Sequence, residues 1–384
     1  MGSPPSRPKQ TAQGKEATEC VLFSNEDTEF LVVWRMDRGP HGLVRYLVRP
    51  RTRQRVGDLM EVDVLPPHAP SSARERMAEE AQLASWLTHP SIARVHGLFE
   101  DGGRTFLLKE HVEGCNLDTV INLGILRGRW MSEAFCLYVG GMVAGALHSA
   151  HTARDEAGRP LGFVHRSVNP CCIRVGLGGV VKLTDFASAW SLLPGRLRTP
   201  KGLLRGEIDY AAPERLLAPG GHGVDARADV FSLGMVLLEL LTGRSLYGLE
   251  AVERAALGPR RKLKARSSAK AELPSWASVG EMAALAAAFR PEHVEAAMQG
   301  VSAPLKAILH KALRADPAER YATAAELQAG LQACRRALRE ESYGAEDAAS
   351  ELLVAQAEAV VSPHREQAGL LEWGIFPDDV PMQW

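Results

Sequence analysis

The chain has 384 residues, 46% of them hydrophobic and 24% charged, the composition of an ordinary globular protein with a sizeable core. Its 45 basic and 46 acidic residues cancel, so no overall field draws it toward nucleic acid or an anionic membrane. The longest uncharged, apolar-leaning run, 134–147, is too short and too glycine-rich to span a bilayer, and the N-terminus carries no signal-peptide core, so the expected location is the cytoplasm.

Residues 1–18 are polar and rich in Pro, Gly and Gln and are expected to be disordered; Met1-Gly2 with Ser6 formally fits a myristoylation pattern that such a lead-in satisfies equally well. Runs with strand character follow at 30–36, 43–48 and 59–65, expected as three antiparallel strands. Residues 72–87 carry Met77, Ala81, Ala84 and Leu87 at helical spacing and stop before His89-Pro90. Two more strands are expected around the turn Asp101-Gly102-Gly103.

After Gly114 the pattern turns helical, most clearly at 132–151, 229–241, 301–312 and 323–339. The expected fold is therefore α+β and bilobal, with a small β-rich lobe over 19–110 and a large helical lobe over 115–338. A helical extension is expected over 339–369 and an aromatic, acidic tail over 370–384, in which Trp373, Phe376 and Trp384 are candidate partner contacts. The basic run 260–266 is a second, weaker candidate. Six cysteines (20, 115, 136, 171, 172, 334) show no paired spacing and are expected to be reduced thiols.

Three motifs occur in order: Val164-His165-Arg166-Ser167-Val168-Asn169-Pro170-Cys171-Cys172-Ile173, then Leu183-Thr184-Asp185-Phe186-Ala187, then Tyr210-Ala211-Ala212-Pro213-Glu214. Upstream stand Glu80 in a helical run and Glu110-His111-Val112-Glu113-Gly114; downstream stand Asp229-Val230-Phe231-Ser232-Leu233-Gly234 and Asp316-Pro317-Ala318-Glu319-Arg320-Tyr321. On these residues the chain, over 19–338, resembles the bacterial, eukaryotic-like Ser/Thr protein kinases, as a degenerate member or pseudokinase. The resemblance implies that Glu80 is the αC glutamate, 110–114 the hinge, Lys109 the gatekeeper position and Asp229 the start of a buried helix. It also implies that Arg320 pairs with Glu214.

Phosphoryl transfer depends on placed charge: a third-strand lysine for the phosphates, metal ligands and a carboxylate that accepts the hydroxyl proton. The chain has only ten lysines against thirty-five arginines and none between Lys15 and Lys109, so the phosphate-binding lysine is absent. Its position falls on Asp63 if Val64-Leu65 anchors the third strand, or on Leu59 if Arg55-Val56 does. In the first register Glu61 and Asp63 share a face and oppose phosphate, at about 4 kcal/mol for like charges 4 Å apart at an effective dielectric of 20.

The glycine loop at 37–44 has Asp37 at its first glycine position and Pro40 inside it, where an N–H is lost. Ser167 stands at the base position, Cys172 at the metal-binding asparagine and Ala187 after Asp185-Phe186; neither a hydroxyl base nor a thiol ligand for Mg²⁺ suits the reaction. Retained are Glu80, His165, Arg166, Asp185, Phe186, Glu214, Asp229 and Arg320. Lys109, an ammonium at an inward position, is expected to pair with Glu80 or Asp63 and plug the cleft. In the segment 185–214, which holds Thr199, Glu207 is expected either to pair with Arg166 or to be solvated.

What is kept supports the fold and what is lost serves reaction. The expected function is thus a catalytically inactive scaffold or allosteric regulator in signalling, acting through protein partners such as an active kinase. No catalytic residue, cofactor, metal, nucleic acid or membrane is called for, and the oligomeric state is open. The alternatives are an unconventional nucleotide-dependent transferase using Lys109 and Asp185, and a metal-independent nucleotide sensor.

Overall fold

The computed structural model describes residues 20–38, 42–193, 204, 206–217, 225–247 and 279–361. The N-terminal lobe is one antiparallel sheet of six strands, in the order β1-β2-β3-β4-β6-β5. The strands are β1 (Val21–Asn25), β2 (Thr28–Arg38), β3 (Val44–Arg51), β4 (Met60–Leu65), β5 (Val95–Asp101) and β6 (Arg104–Glu110). Four strands precede the first helix where the sequence reading expects three. The added strand, β1, has an apolar run of only three residues, too short to show a period, and it is held by tertiary packing: Phe23 stacks on Phe30 and on Phe106, each at 4.4 Å.

Helix α1 (Ser71–Ala84) lies against the other face of the sheet, where Met77 joins Leu65 and Leu107 in a small core. It stops at Ala84, three residues short of the expected end, because the Ser85 and Trp86 amide groups already bond back in a closing turn and the Ser85 hydroxyl donates to the Gln82 carbonyl.

The C-terminal lobe opens with the three-stranded sheet β7 (Gly114–Asn116), β8 (Ile173–Gly176) and β9 (Val181–Leu183). Around it pack α2 (Leu117–Arg127), α3 (Glu133–His151), α4 (Pro213–Leu217), α5 (Arg227–Thr242), α6 (Val279–Ala288), α7 (Pro291–Ala297), α8 (Ala303–Ala312) and α9 (Ala324–Leu338). Helix α5 is buried on nearly every side and forms the centre of the lobe, as a helix apolar all round must. Within the expected extension 339–369 the chain forms α10 (Ala345–Val360), clamped to α2 and α3 by Glu358 against Arg127 and Arg129 and by Glu351 against Ser132. Among the described residues no helix is long and apolar enough to cross a membrane.

Arg320 satisfies all five of its N–H groups while buried. It forks onto Glu214 at 2.8 and 2.7 Å and donates also to the carbonyls of Arg227, Arg314 and Ala315, with its guanidinium over the Phe231 ring. The lobes are stitched where the Leu183 amide donates to the Ser91 carbonyl, the Ala93 amide to the Leu183 carbonyl, and Lys182 pairs with Glu110 at 2.8 Å.

Candidate functional site

Between the lobes, β4 presents Glu61 and Asp63 on one face, both buried. Strand β4 begins at Met60, so Leu59 lies outside it and Asp63 lies within it. Asp63 is directly opposite Arg45 on β3 and opposite Leu107 on β6, while Glu61 is opposite Lys109. These registers bring four charges together. Arg45 Nε donates to Asp63 at 2.7 Å, and Lys109, reaching diagonally from the next rung, donates to the other oxygen of the same carboxylate.

Lys109 thus pairs with Asp63 rather than with Glu80, although it lies near enough to Glu80 and Asp185 for their charges to favour its ammonium. Burial opposes that charge and the carboxylates outweigh it, so the pKa rises above the ordinary lysine value. Burial likewise works to raise the Asp63 pKa, but Lys109 and Arg45 prevail and hold it at about 2.

Both carboxylates expected over the cleft are on that face, each engaged by neighbouring side chains. Glu61 accepts from His111 Nδ1 at 3.0 Å and lies 4.0 Å from Arg45; burial works against its charge, and His111, Arg174, Arg45 and Lys109 together keep its pKa low. Arg174, on β8 two residues after Cys172, closes the opposite wall by donating to the carbonyls of Val112 at 3.0 Å and Gly114 at 3.2 Å. Gly114 has φ +145°, and a Cβ there would overlap the Val175 carbonyl, so only glycine lets β7 lie this close to the strand that carries Arg174.

Among the described residues no cation hydrogen-bonds to Glu80. Burial, with Asp185 and Asp63 adding to it and Lys109 opposing, pushes its pKa up to about 8, so the carboxyl is largely neutral at pH 7.

On the C-lobe side Asp229 is fully buried and accepts from the amides of His165 at 2.7 Å and Arg166 at 2.8 Å, with His151 Nε2 at 2.8 Å. This fixes the loop that carries Ser167, and Arg166 sits at φ +63° while donating to the Ser188 and Ala189 carbonyls. His165 packs edge-on against buried Phe186.

Ser167 Oγ accepts from the Glu207 amide at 3.2 Å and from Asn169 at 3.4 Å. Gly206, at φ +90°, permits this approach, since a Cβ there would strike the Arg166 carbonyl. The Glu207 carboxyl is exposed, and its pKa is raised by partial burial and by Asp209. Buried Cys172 turns its sulfur back to the Asn169 backbone, and burial drives its thiol pKa far above neutral. Asp185 is exposed at φ +66°, ahead of the short turn Phe186–Ser188 that contains Ala187.

Asp37 lies near the end of β2, and the loop residues 39–41 after it lie outside the described residues, as do 1–18, Thr199, the run 260–266 and Trp373, Phe376 and Trp384. Among the described residues no three His, Cys, Asp or Glu side chains converge to hold a metal ion.

Sequence reasoning missed Arg45, His111 and Arg174. Arg45 could have been found from the hairpin register opposite Asp63; among thirty-five arginines, nothing local marks Arg174.

The protein kinase domain model matches residues 52–330. Among curated relatives, the tyrosine-protein kinase MasK of Myxococcus xanthus is 34% identical over 199 residues, 50% of this chain and 30% of that protein. The serine/threonine-protein kinase PknJ of Mycobacterium tuberculosis is 32% identical over 260 residues, 66% of this chain and 36% of that protein. PknB of Mycobacterium leprae is 28% identical over 261 residues, 67% of this chain and 35% of that protein. The matched region spans about a third of the length of each of these relatives. With six strands over a helical lobe, the stitched hinge and a family match across most of its length, the chain belongs to the protein kinase family.

Proposed function

We propose that this member of the family is a non-catalytic regulator or scaffold that works through protein contacts, its nucleotide cleft filled by its own side chains. The observation that carries the reading is the chain Arg45–Asp63–Lys109, lying where a phosphate-binding lysine and its αC partner would face each other. A nucleotide entering this space meets Asp63 and Glu61 as like charges. To use Arg45 or Lys109 it must first separate them from buried carboxylates, at a cost of several kcal/mol. A base set against the hinge competes with Arg174 for the Val112 carbonyl.

Phosphoryl transfer also lacks its proton acceptor. Ser167 is engaged with the Glu207 amide, and its hydroxyl is no base near neutral pH. Cys172, a neutral thiol turned toward backbone, offers no hard oxygen to Mg²⁺.

The competing reading carries over the activity in the relatives' names through a rearranged site, and one observation favours it. Asp185 is exposed, and Lys109 lies near enough to feel its charge.

A thermal-shift titration with ATP, alone and with Mg²⁺ or Mn²⁺, separates the two. The expected result is no shift at millimolar nucleotide, because only a ligand that binds the native state raises its melting point. A metal-dependent rise overturns the filled-cleft reading in favour of the transferase, and a rise without metal favours the nucleotide sensor.

A further inference from the structure

A cavity of about 760 Å³ opens behind the hinge, where the β3–β4 connection, the α1–β5 connection and strand β9 meet. It backs onto the charged cleft across His111, which lines it and bonds Glu61, whereas Met60 precedes Glu61 on β4 and projects from the opposite face. Its floor is apolar, with Met60 and buried Leu87 and Ile92, and its rim carries exposed Arg55, Arg94 and His96. Lys182 at the rim is engaged by Glu110, but the side chains of Arg55 and Arg94 have no partner among the described residues. Asp58 is the one rim carboxylate left to face those two guanidinium groups.

We propose that this cavity is the docking site of the chain's own segment 370–384, with an aromatic side chain on the apolar floor and the acidic residues against Arg55 and Arg94. Two observations select this occupant. The first is charge: the segment carries Glu372, Asp378 and Asp379 and no Lys or Arg, interleaved with Trp373, Phe376 and Trp384. An aromatic anchor flanked by charges of the sign opposite to the rim is how a short segment seats in a groove.

The second observation is reach. Near the end of α10, Glu358 is held at 3.1 Å from Arg127 and 2.7 Å from Arg129, at the far end of α2. Helix α2 begins where β7 leaves the hinge, and its length brings that point within about 16 Å of the hinge. The nine Cα-to-Cα steps from Val361 to Leu370 can span roughly 30 Å, enough to pass behind the hinge. An occupant there touches β4 and the α1–β5 connection of one lobe and β9 of the other, so docking fixes the angle between the lobes.

Hydrogen exchange on the full chain tests this. The full-chain variant Trp373→Ala/Phe376→Ala/Trp384→Ala removes the aromatic anchors, and an unchanged far-UV circular dichroism spectrum checks that its lobes are folded. Docking is expected to make backbone amides in 55–60 and 87–96 exchange about tenfold more slowly in the parent chain than in this variant. Arg94→Glu is expected to lose the protection, and Asp378→Arg/Asp379→Arg in the Arg94→Glu background to restore it, which a merely structural effect of either change does not do. Equal exchange in parent and variant overturns the proposal. Protection that grows with protein concentration overturns the intramolecular form, since it assigns the segment to a second copy.

Discussion

The two lobes use buried charge in opposite ways. In the C-lobe, Asp229 and Arg320 direct hydrogen bonds to backbone: Asp229 binds the amides of His165 and Arg166, and Arg320 binds three carbonyls besides Glu214. In the cleft, Arg45, Asp63 and Lys109 bind one another. The first arrangement holds chain segments in register and is indispensable to the fold. The second holds side chains in a space and can be exchanged for another set without moving the backbone. Residues that hold backbone are tied to the path of the chain; residues that meet across the cleft are tied to one another through side chains alone.

The sharpest test is to break each arrangement. Arg320→Met leaves the Glu214 carboxylate and three carbonyls without their donor in a packed site; the expected loss is about 4 kcal/mol, read as a fall in denaturant midpoint or failure to accumulate folded protein. Lys109→Met removes one of the two cations from Asp63 and leaves Arg45, which is partly exposed; the expected loss is about 3 kcal/mol, with melting lowered by roughly 4 °C. An unchanged melting point for Lys109→Met would show that the cleft network contributes nothing. The double change Asp63→Lys/Lys109→Met moves the cation back to the third strand beside Glu80. It is expected to recover at least half of that loss and to bring in a nucleotide-dependent thermal shift that the parent chain lacks.

Much of this was legible in the sequence, and the limits have physical causes. Motif order named the fold because each motif holds backbone at a fixed place: Asp229 sits under the His165-Arg166 loop, and Arg320 meets Glu214 across 106 positions. The absence of lysine between Lys15 and Lys109 drew attention to the cleft, and strand alternation put Glu61 with Asp63. What alternation within one strand could not say is what lies opposite. Arg45 faces Asp63 only through the β3–β4 register, and Arg174 reaches the hinge only through the β7–β8 pairing. The β1 strand escaped for a related reason, since its evidence is a stack of three phenylalanines from three strands.

The smallest expected effect concerns the two carboxyls on either side of Lys109, whose pKa values burial and charge push apart. Asp63, held at about 2, stabilises the fold above its unfolded pKa near 4, and that stability is lost as pH falls toward 2. Glu80, raised to about 8, has the opposite sign. The folded state favours its neutral form, so its contribution is fully present below the unfolded pKa near 4.3 and is lost as pH rises through 8. Glu80→Gln keeps the neutral shape and removes the titration. The variant and the parent chain are expected to melt together at pH 4 and to diverge as pH rises. By pH 8.5 the variant is expected to be more stable by about 1–2 kcal/mol, less than the full shift implies because α1 can relax around the charge. Parallel melting profiles across that range would mean that Glu80 already has solvent or a cation for company, and that the network of Arg45, Asp63 and Lys109 ends before it reaches α1.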